Sequence, residues 1–315
     1  MSLASLAVTG YRSIRSIRFP VRRLSVFVGS NGVGKTNLYR SLELLQAAAL
    51  GTLAEEIARE GGLSSLHFAG ELKRGERPRL VLSATLEDIL EQPVQYEITV
   101  GFPTPASAAF PLEAQVKEER LTLTARRPVA LMARQVAAVW ARDDDGHRIL
   151  VDDELLASET ALFGLRGGYR EIDAVRHAIA SWRFYHAFRT DAESPLRRPG
   201  AAITSPTLNS DGSNLAAVFA TLRHVRQESV DLDEAIAQAF PHARLWVPAP
   251  EQQASFAMTF PDLPKRQFGA HELSDGTLQF LALMGALLAY RLPPFIALNE
   301  PETSLHPALL PALAR

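Results

Sequence analysis

Eight consecutive residues, Gly29, Ser30, Asn31, Gly32, Val33, Gly34, Lys35 and Thr36, constrain this chain more than any other stretch. They spell G-x-x-x-x-G-K-[ST], the phosphate-binding P-loop. Glycines let backbone N–H groups turn inward around a polyphosphate, the Lys35 ammonium adds a mobile positive charge, and the Thr36 hydroxyl can ligate Mg²⁺. The loop does this work between a buried strand and the positive end of a helix. Both flanks carry the required pattern. Leu24-Ser25-Val26-Phe27-Val28 is apolar and β-rich, as a strand buried in a parallel sheet would be. Beyond the loop, Leu38, Leu42, Leu45 and Ala49 share one face of a helix predicted over 37–50.

Composition narrows the rest. A chain of 315 residues holds two domains, or one core with a large insertion. A net charge of −2 argues against a uniformly basic nucleic-acid binder, and 47% hydrophobic residues are ordinary for a globular protein. There is no cysteine, which excludes disulfides and thiolate metal sites and fits a reducing compartment. The longest strongly apolar stretch, Phe280 to Tyr290, falls short of the ~20 residues of a membrane span. Met1 to Val8 lacks a charged leader, so the expected location is cytoplasmic, with no membrane partner.

Strands are predicted over 3–8, 14–19, 79–86 and 94–100, the last alternating as Val94, Tyr96, Ile98 and Val100. Pro103-Thr104-Pro105 and Pro111 mark a loop, 112–124 reads as a strand pair, and 136–151 as a hairpin around Asp143-Asp144-Asp145-Gly146. From Asp153 the pattern is helical, with an amphipathic helix over 171–182. The segment 194–206, rich in Pro, Arg and Ser, reads as an exposed loop. Asp211-Gly212-Ser213-Asn214 reads as the cap of a helix running from Leu215 to Gln227. Strands over 244–247 and 255–260, an apolar helix over 278–290 and a short strand over 295–298 complete the pass. There is no internal repeat and no sustained heptad run.

Two further motifs lie near the end. Phe295-Ile296-Ala297-Leu298-Asn299-Glu300 has the form of a Walker B strand, four apolar residues followed by polar and acidic groups. Laid parallel beside the P-loop strand, it would carry Glu300 to the phosphate crevice, where a carboxylate can orient or deprotonate water. About twenty residues earlier, Leu273, Ser274, Asp275, Gly276 and Thr277 open the apolar helix. The order P-loop, L-S-D-G, then Walker B with Glu resembles the ABC-type ATPases. The forms Glu272 to Thr277 and Asn299 to Pro307 are similar to the RecF/SMC-like branch of predicted AAA ATPases. Val8 to Ile14, Trp182 to Tyr185 and Asp211 to Leu215 match that group too, so the resemblance runs the length of the chain.

That resemblance implies an α/β fold: an ABC-type P-loop ATPase head with a mixed central sheet, an antiparallel β subdomain, and a helical insertion between P-loop and signature motif. The expected domains are an N-terminal ATPase lobe over 1–125, a mostly helical insertion or lid over 126–240, and a C-terminal lobe over 241–315. ATP and Mg²⁺ are the implied ligands. Gly29 to Thr36 with Asn37 hold the nucleotide, with Arg12 or Tyr11 near its phosphates or base. Thr36 and Asn299 serve the metal, and Glu300 is catalytic. Ser274 and Gly276, within the signature Leu273–Thr277, touch the γ-phosphate held by a second subunit, so two chains sandwich ATP in a homodimer. DNA and an effector protein are the further implied partners, with Arg126-Arg127, Arg197-Arg198 and Arg223 to Arg226 as basic clusters.

Two departures accompany the resemblance. Asn299 stands where ABC-type members commonly carry Asp, which weakens the attraction for Mg²⁺ and slows turnover. The sequence stops at Arg315, inside the helix expected after Walker B and short of a switch histidine. A piece of a longer protein is the expectation; completion by a partner and a crippled site are the alternatives. The expected function is slow ATP hydrolysis by an ATP-dimerised protein in DNA repair, genome maintenance or anti-phage defence. The alternative is a nucleotide-sensing module that regulates an effector. A small-molecule P-loop kinase or a GTPase leaves Leu273 to Thr277 unexplained, and no Asn-Lys-x-Asp motif is present.

Overall fold

Alternation of apolar and polar residues builds the first half of the chain. The computed structural model describes residues 2–71, 75, 78–103, 109–151, 155–226 and 229–314. Of the residues named above, Met1, Thr104, Pro105, Asp153, Gln227 and Arg315 lie outside them. Contacts divide the chain into two units, Met1–Trp182 and Arg183–Arg315.

The first unit begins with β1 (Ser2–Tyr11) and β2 (Ile14–Pro20), followed by α1 (Lys35–Leu50), α2 (Leu53–Arg59) and α3 (Leu63–Leu66). Then come β3 (Leu80–Glu87), β4 (Val94–Gly101), β5 (Gln115–Leu123), β6 (Val129–Gln135), β7 (Ala138–Arg142) and β8 (Arg148–Val151), and finally α4 (Ala161–Gly164) and α5 (Arg170–Ala180). The eight strands form one antiparallel sheet in the order β2-β1-β3-β4-β5-β6-β7-β8. Leu80, Leu82, Ala84 and Leu86 of β3 and Val94, Tyr96 and Ile98 of β4 are fully buried on one face, as their period of two requires. Where the period breaks, the ladder shifts register: a bulge between Leu3 and Ser5 lets Leu3 and Leu6 both point inward. Gly10 closes β1 at φ 77, and a Cβ there would lie 2.0 Å from the Arg79 carbonyl oxygen. Helix α1 buries Tyr39, Leu44, Leu45 and Ala47 to Ala49 and packs against α5. Gln46 joins the two by donating to the Ala180 and Trp182 carbonyls at 3.0 and 2.7 Å.

The hairpin around Asp143–Gly146 forms between β7 and β8. Residues 112–124 give one strand, β5, rather than a pair, and β6 supplies its partner. The stretch 126–240 therefore contributes three strands to this sheet as well as helices. The expected strand Leu24–Val28 does not form, and Leu24 is 81% and Val28 91% exposed. The ladder of β2 ends at Pro20; Val21 N–H still reaches the Ala4 carbonyl at 2.8 Å, after which the chain leaves the sheet. Without lateral partners an apolar run has no ladder to join.

The second unit holds β9 (Arg183–Tyr185), β10 (Gly200–Ala201), α6 (Leu215–Ala220), α7 (Val230–Ala239), β11 (Arg244–Trp246), β12 (Gln253–Ala254), β13 (Ala257–Thr259), β14 (Phe268–Gly269), α8 (Asp275–Leu287), β15 (Ile296–Leu298) and α9 (Leu310–Leu313). Its core centres on α8, where Leu278 and Phe280 to Ala286 are buried among Leu215, Phe219, Phe256 and Met258. Helix α6 continues as a π-helical stretch, Thr221–Arg226. Asn214 stands at its N-cap, yet its side chain accepts from Asn209 N–H and donates to the Thr207 carbonyl instead of capping the helix. Residues 194–206, expected as an exposed loop, are instead partly buried: Ser194 is fully enclosed, and Leu196 is 1% and Ser205 5% exposed.

Candidate nucleotide site

The P-loop lies in the first unit. Gly34 stands at φ 101 as the N-cap of α1, and a Cβ there would meet Ser13 Oγ at 3.0 Å. No side chain caps the first turn of this 16-residue helix, and no acidic residue sits in it. Its leading amides thus face the loop with the positive end of the helix dipole behind them. The Lys35 ammonium donates to the Gly29 and Ser30 carbonyls at 2.5 and 3.1 Å, bridging the loop. Thr36 is exposed. Amides, an ammonium and a hydroxyl on one glycine-bearing loop form a donor set that fits a Mg²⁺–polyphosphate.

The turn between β1 and β2 adjoins this loop, because Asn37 Nδ2 donates to Ser13 Oγ at 2.8 Å. Arg12 holds φ 47, with its N–H on the Leu66 carbonyl and its carbonyl accepting from Ala69 N–H, both at 2.8 Å. Its guanidinium reaches Glu60 Oε2 at 2.6 Å, and the Tyr11 hydroxyl donates to the same oxygen at 2.9 Å. Burial first, and Glu60 second, push the fully enclosed Tyr11 hydroxyl far above its usual pKa, so it stays protonated and packs.

The signature and Walker B residues lie in the second unit. Ser274 is the N-cap of α8: its Oγ accepts from Thr277 N–H at 3.2 Å and lies 2.8 Å from Thr277 Oγ1. Leu273 and Thr277 are buried, whereas Ser274 and Asp275 are exposed. Strand β15 runs parallel to β9, pairing Ile296 with Arg183 and Leu298 with Tyr185; β9, not a P-loop strand, is therefore its parallel partner. Asn299 extends that ladder by donating its N–H to the Tyr185 carbonyl at 3.0 Å. Burial pushes the Tyr185 hydroxyl up to about 12, and it donates to the Leu208 carbonyl. Glu300 follows at φ 47, exposed, directly before Pro301. Ser304, three residues beyond that proline, holds φ 67. A Cβ on Gly276 would lie 3.1 Å from the Ser304 carbonyl oxygen, so the signature and the turn after Glu300 are neighbours.

The sequence reading missed Arg197 as a site residue. Its guanidinium donates to the Leu273 and His271 carbonyls at 2.8 and 3.1 Å and to Asp275 Oδ1 at 2.7 Å. The only signal was its place in a basic pair. Those pairs are largely occupied: Arg198 bonds Glu193, Arg223 forms a two-pronged pair with Asp233, and Arg226 stacks 4.0 Å from the Tyr290 ring centre. Arg126 and Arg127 stay exposed. A different basic edge emerges on β2 and beyond, where Arg15, Arg18, Arg22 and Arg23 are all exposed. No Asp or Glu precedes Glu43 in the sequence, and among the described residues no carboxylate pairs with these four.

A family model described as "AAA domain, putative AbiEii toxin, Type IV TA system" matches residues 24–315. Among solved structures, the chain is similar to "Crystal structure of the SmcHead bound to the C-winged helix domain of ScpA". The TM-score is 0.52 and the identity 17%, over 100% of this chain and 85% of that one. Another, "Structural biochemistry of ATP-driven dimerization and DNA stimulated activation of SMC ATPases", gives a TM-score of 0.28 and 21% identity over 41% of this chain and 72% of that one. No curated protein matches the chain. The first likeness shows the fold, that of a P-loop ATPase head of the ABC type. Among the described residues no helix is long and apolar enough to cross a membrane.

Proposed function

The chain belongs to this AAA-domain family, and from that premise we propose that it is a slowly hydrolysing ATPase whose homodimer is closed by ATP. The observation that carries the reading is the uncapped start of α1 behind Gly34, with Lys35 bridging the glycine loop. There the amides of the loop and first turn hold the phosphates, and Arg12 lies in the turn between β1 and β2, next to the Ser13 that Asn37 ties to the loop. Thr36 and Asn299 would hold Mg²⁺, which supplies positive charge to the transferring phosphate. Glu300 orients the attacking water and accepts its proton as the γ-phosphate leaves ADP. Ser274 and the amides of Asp275 and Gly276 face the γ-phosphate carried by a second copy.

Phosphate release and sedimentation of the full chain test this reading. Glu300→Gln should abolish turnover and accumulate an ATP-bound dimer, and a dimer unaffected by ATP would refute the sandwich. We infer a DNA role, in repair, genome maintenance or defence, from the unpaired arginine edge at Arg15, Arg18, Arg22 and Arg23. Backbone contacts by these four should weaken duplex binding steeply with salt, and replacing all four with Ala should flatten the log–log slope by about 3 to 4. Binding indifferent to salt would refute it. The neutral Asn299 favours a second reading, in which hydrolysis is too slow for turnover and instead times a complex with an effector protein. Partner release that tracks a single hydrolysis event would identify that case.

A further inference from the structure

Asp275 presents a difficulty for any anion at the start of α8. The helix is thirteen residues long and its first-turn amides favour negative charge, but the Asp275 carboxylate already stands there, 63% exposed. A phosphate approaching Ser274 and Gly276 would meet a like charge at close range. Arg197 answers both the charge and the geometry. It lies 78 residues earlier in the chain with its side chain only 13% exposed, and its Nη2 donates to Asp275 Oδ1 at 2.7 Å. Its Nη1 binds the carbonyls of Leu273, directly before Ser274, and of His271. Its Nε donates to the Thr190 carbonyl at 2.8 Å, anchoring the fork from behind. The guanidinium thus grips the chain immediately before and immediately after Ser274. Between these grips Ser274 holds an extended backbone, φ −66 and ψ 156, with Oγ at the helix cap. A planar guanidinium with five N–H donors can satisfy such a divergent set, whereas an ammonium cannot.

The geometry points to Arg197 as the positioning residue of the signature segment: it neutralises Asp275 and fixes Ser274 so that the start of α8 can receive a phosphate. This rests on the reading that Ser274 and Gly276 face ATP held by a second copy. Four of its five N–H donors are committed to the protein, which gives Arg197 a positioning role rather than a nucleotide contact. The neighbouring Arg198 is 59% exposed, bonds Glu193, and has no part in the segment.

ATP-dependent dimerisation of the full chain, followed by sedimentation in a Glu300→Gln background, tests the assignment, with affinity for a fluorescent ATP analogue measured alongside. Arg197→Ala should weaken dimerisation at least tenfold and leave monomer affinity for the analogue within twofold, while Arg198→Ala should change neither. Adding Asp275→Asn to Arg197→Ala should recover most of the lost dimerisation, because it removes the unneutralised charge. A purely structural arginine would not be rescued that way. Ser274→Ala separates the two layers. If it blocks dimerisation and Arg197→Ala does not, the positioning role falls and the sandwich stands; if neither has any effect, both fall. A double variant no better than Arg197→Ala overturns the charge argument. Should Arg197→Ala fail to fold, Arg197→Lys decides, since it keeps the charge and loses the fork. Weakening by Arg197→Lys that is smaller than for Ser274→Ala, and deeper weakening by Arg197→Met, support the role, and wild-type dimerisation by Arg197→Met refutes it.

Discussion

Glu300 is held in a backbone conformation that its side chain does not favour, and replacing it should separate stability from activity. At φ 47 it occupies the left-handed region, which costs a residue with a Cβ about 1–2 kcal/mol. Pro301 adds to the strain, because a residue before proline is normally extended at negative φ. The carboxylate is exposed and, among the described residues, accepts no hydrogen bond and forms no ion pair, so its removal forfeits little. Glu300→Gly relieves the left-handed cost and gives back about 0.5–1 kcal/mol in chain entropy. The net is a gain of about 0.5–1 kcal/mol. Loss of a general base should lower turnover about 10²–10⁴-fold. Glu300→Gln should lose the same activity with stability unchanged within about 0.5 kcal/mol, since glutamine meets the same backbone cost. Urea unfolding read as a midpoint shift at constant slope gives the stability, and phosphate release gives the rate. A Glu300→Gly chain that is both inactive and less stable would refute the strain argument. A Glu300→Gln chain that turns over normally would refute the catalytic assignment.

Other perturbations have outcomes fixed by the same geometry. Gly10→Ala combines φ 77 with a Cβ placed 2.0 Å from the Arg79 carbonyl, and should destabilise the first unit by about 3 kcal/mol or more in urea. Glu119 is fully enclosed and accepts from Tyr96 Oη and from the Ala161 and Leu162 N–H groups. Glu119→Gln turns one acceptor into a donor and should cost about 1–3 kcal/mol. Burial raises the Glu119 pKa, so its contribution is complete below the ordinary carboxylate range and is lost as pH rises through the raised value. The unfolding free energy measured against pH should therefore slope downward there, and Glu119→Gln should remove that slope. Asn299→Asp adds the charge that ABC-type members carry and should lower the Mg²⁺ concentration needed for half-maximal hydrolysis; a metal titration unchanged by it would show that the strand end takes no part in holding the ion.

Most of the sheet could be read in advance because Leu80, Leu82, Ala84 and Leu86 of β3 and Val94, Tyr96, Ile98 and Val100 of β4 recur at every second position on the face turned to the core. Strand β6 was hidden by Arg134, which reads as a surface residue but is 2% exposed. Its Nε and Nη2 donate to the Val136 and Leu156 carbonyls at 2.7 and 3.0 Å, which lets a charged group sit in a strand facing the core. The same chemistry hid Arg197, whose acceptors are backbone carbonyls far away in sequence. Local pattern reports which residues tend to be buried; it does not report which distant carbonyls will take up a guanidinium. Leu24–Val28 shows the converse. Its residues were rightly read as apolar and β-rich, but a strand exists only where another edge lies alongside, and composition carries no record of that edge.

The motifs were legible for a different reason, since phosphate chemistry fixes residue types at fixed spacing. A glycine loop ahead of a helix and a serine cap ahead of another helix are both solutions to holding an anion on amides. Each needs its nearby carboxylates removed or cancelled. The P-loop helix meets the need by having no acidic residue in its first turn. The signature helix carries Asp275 there, and the compensating charge had to come from elsewhere in the fold, which is where Arg197 stands. If Ser274 receives a phosphate as proposed, the aspartate directly after it calls for a compensating cation on its flank, and Arg197 supplies one.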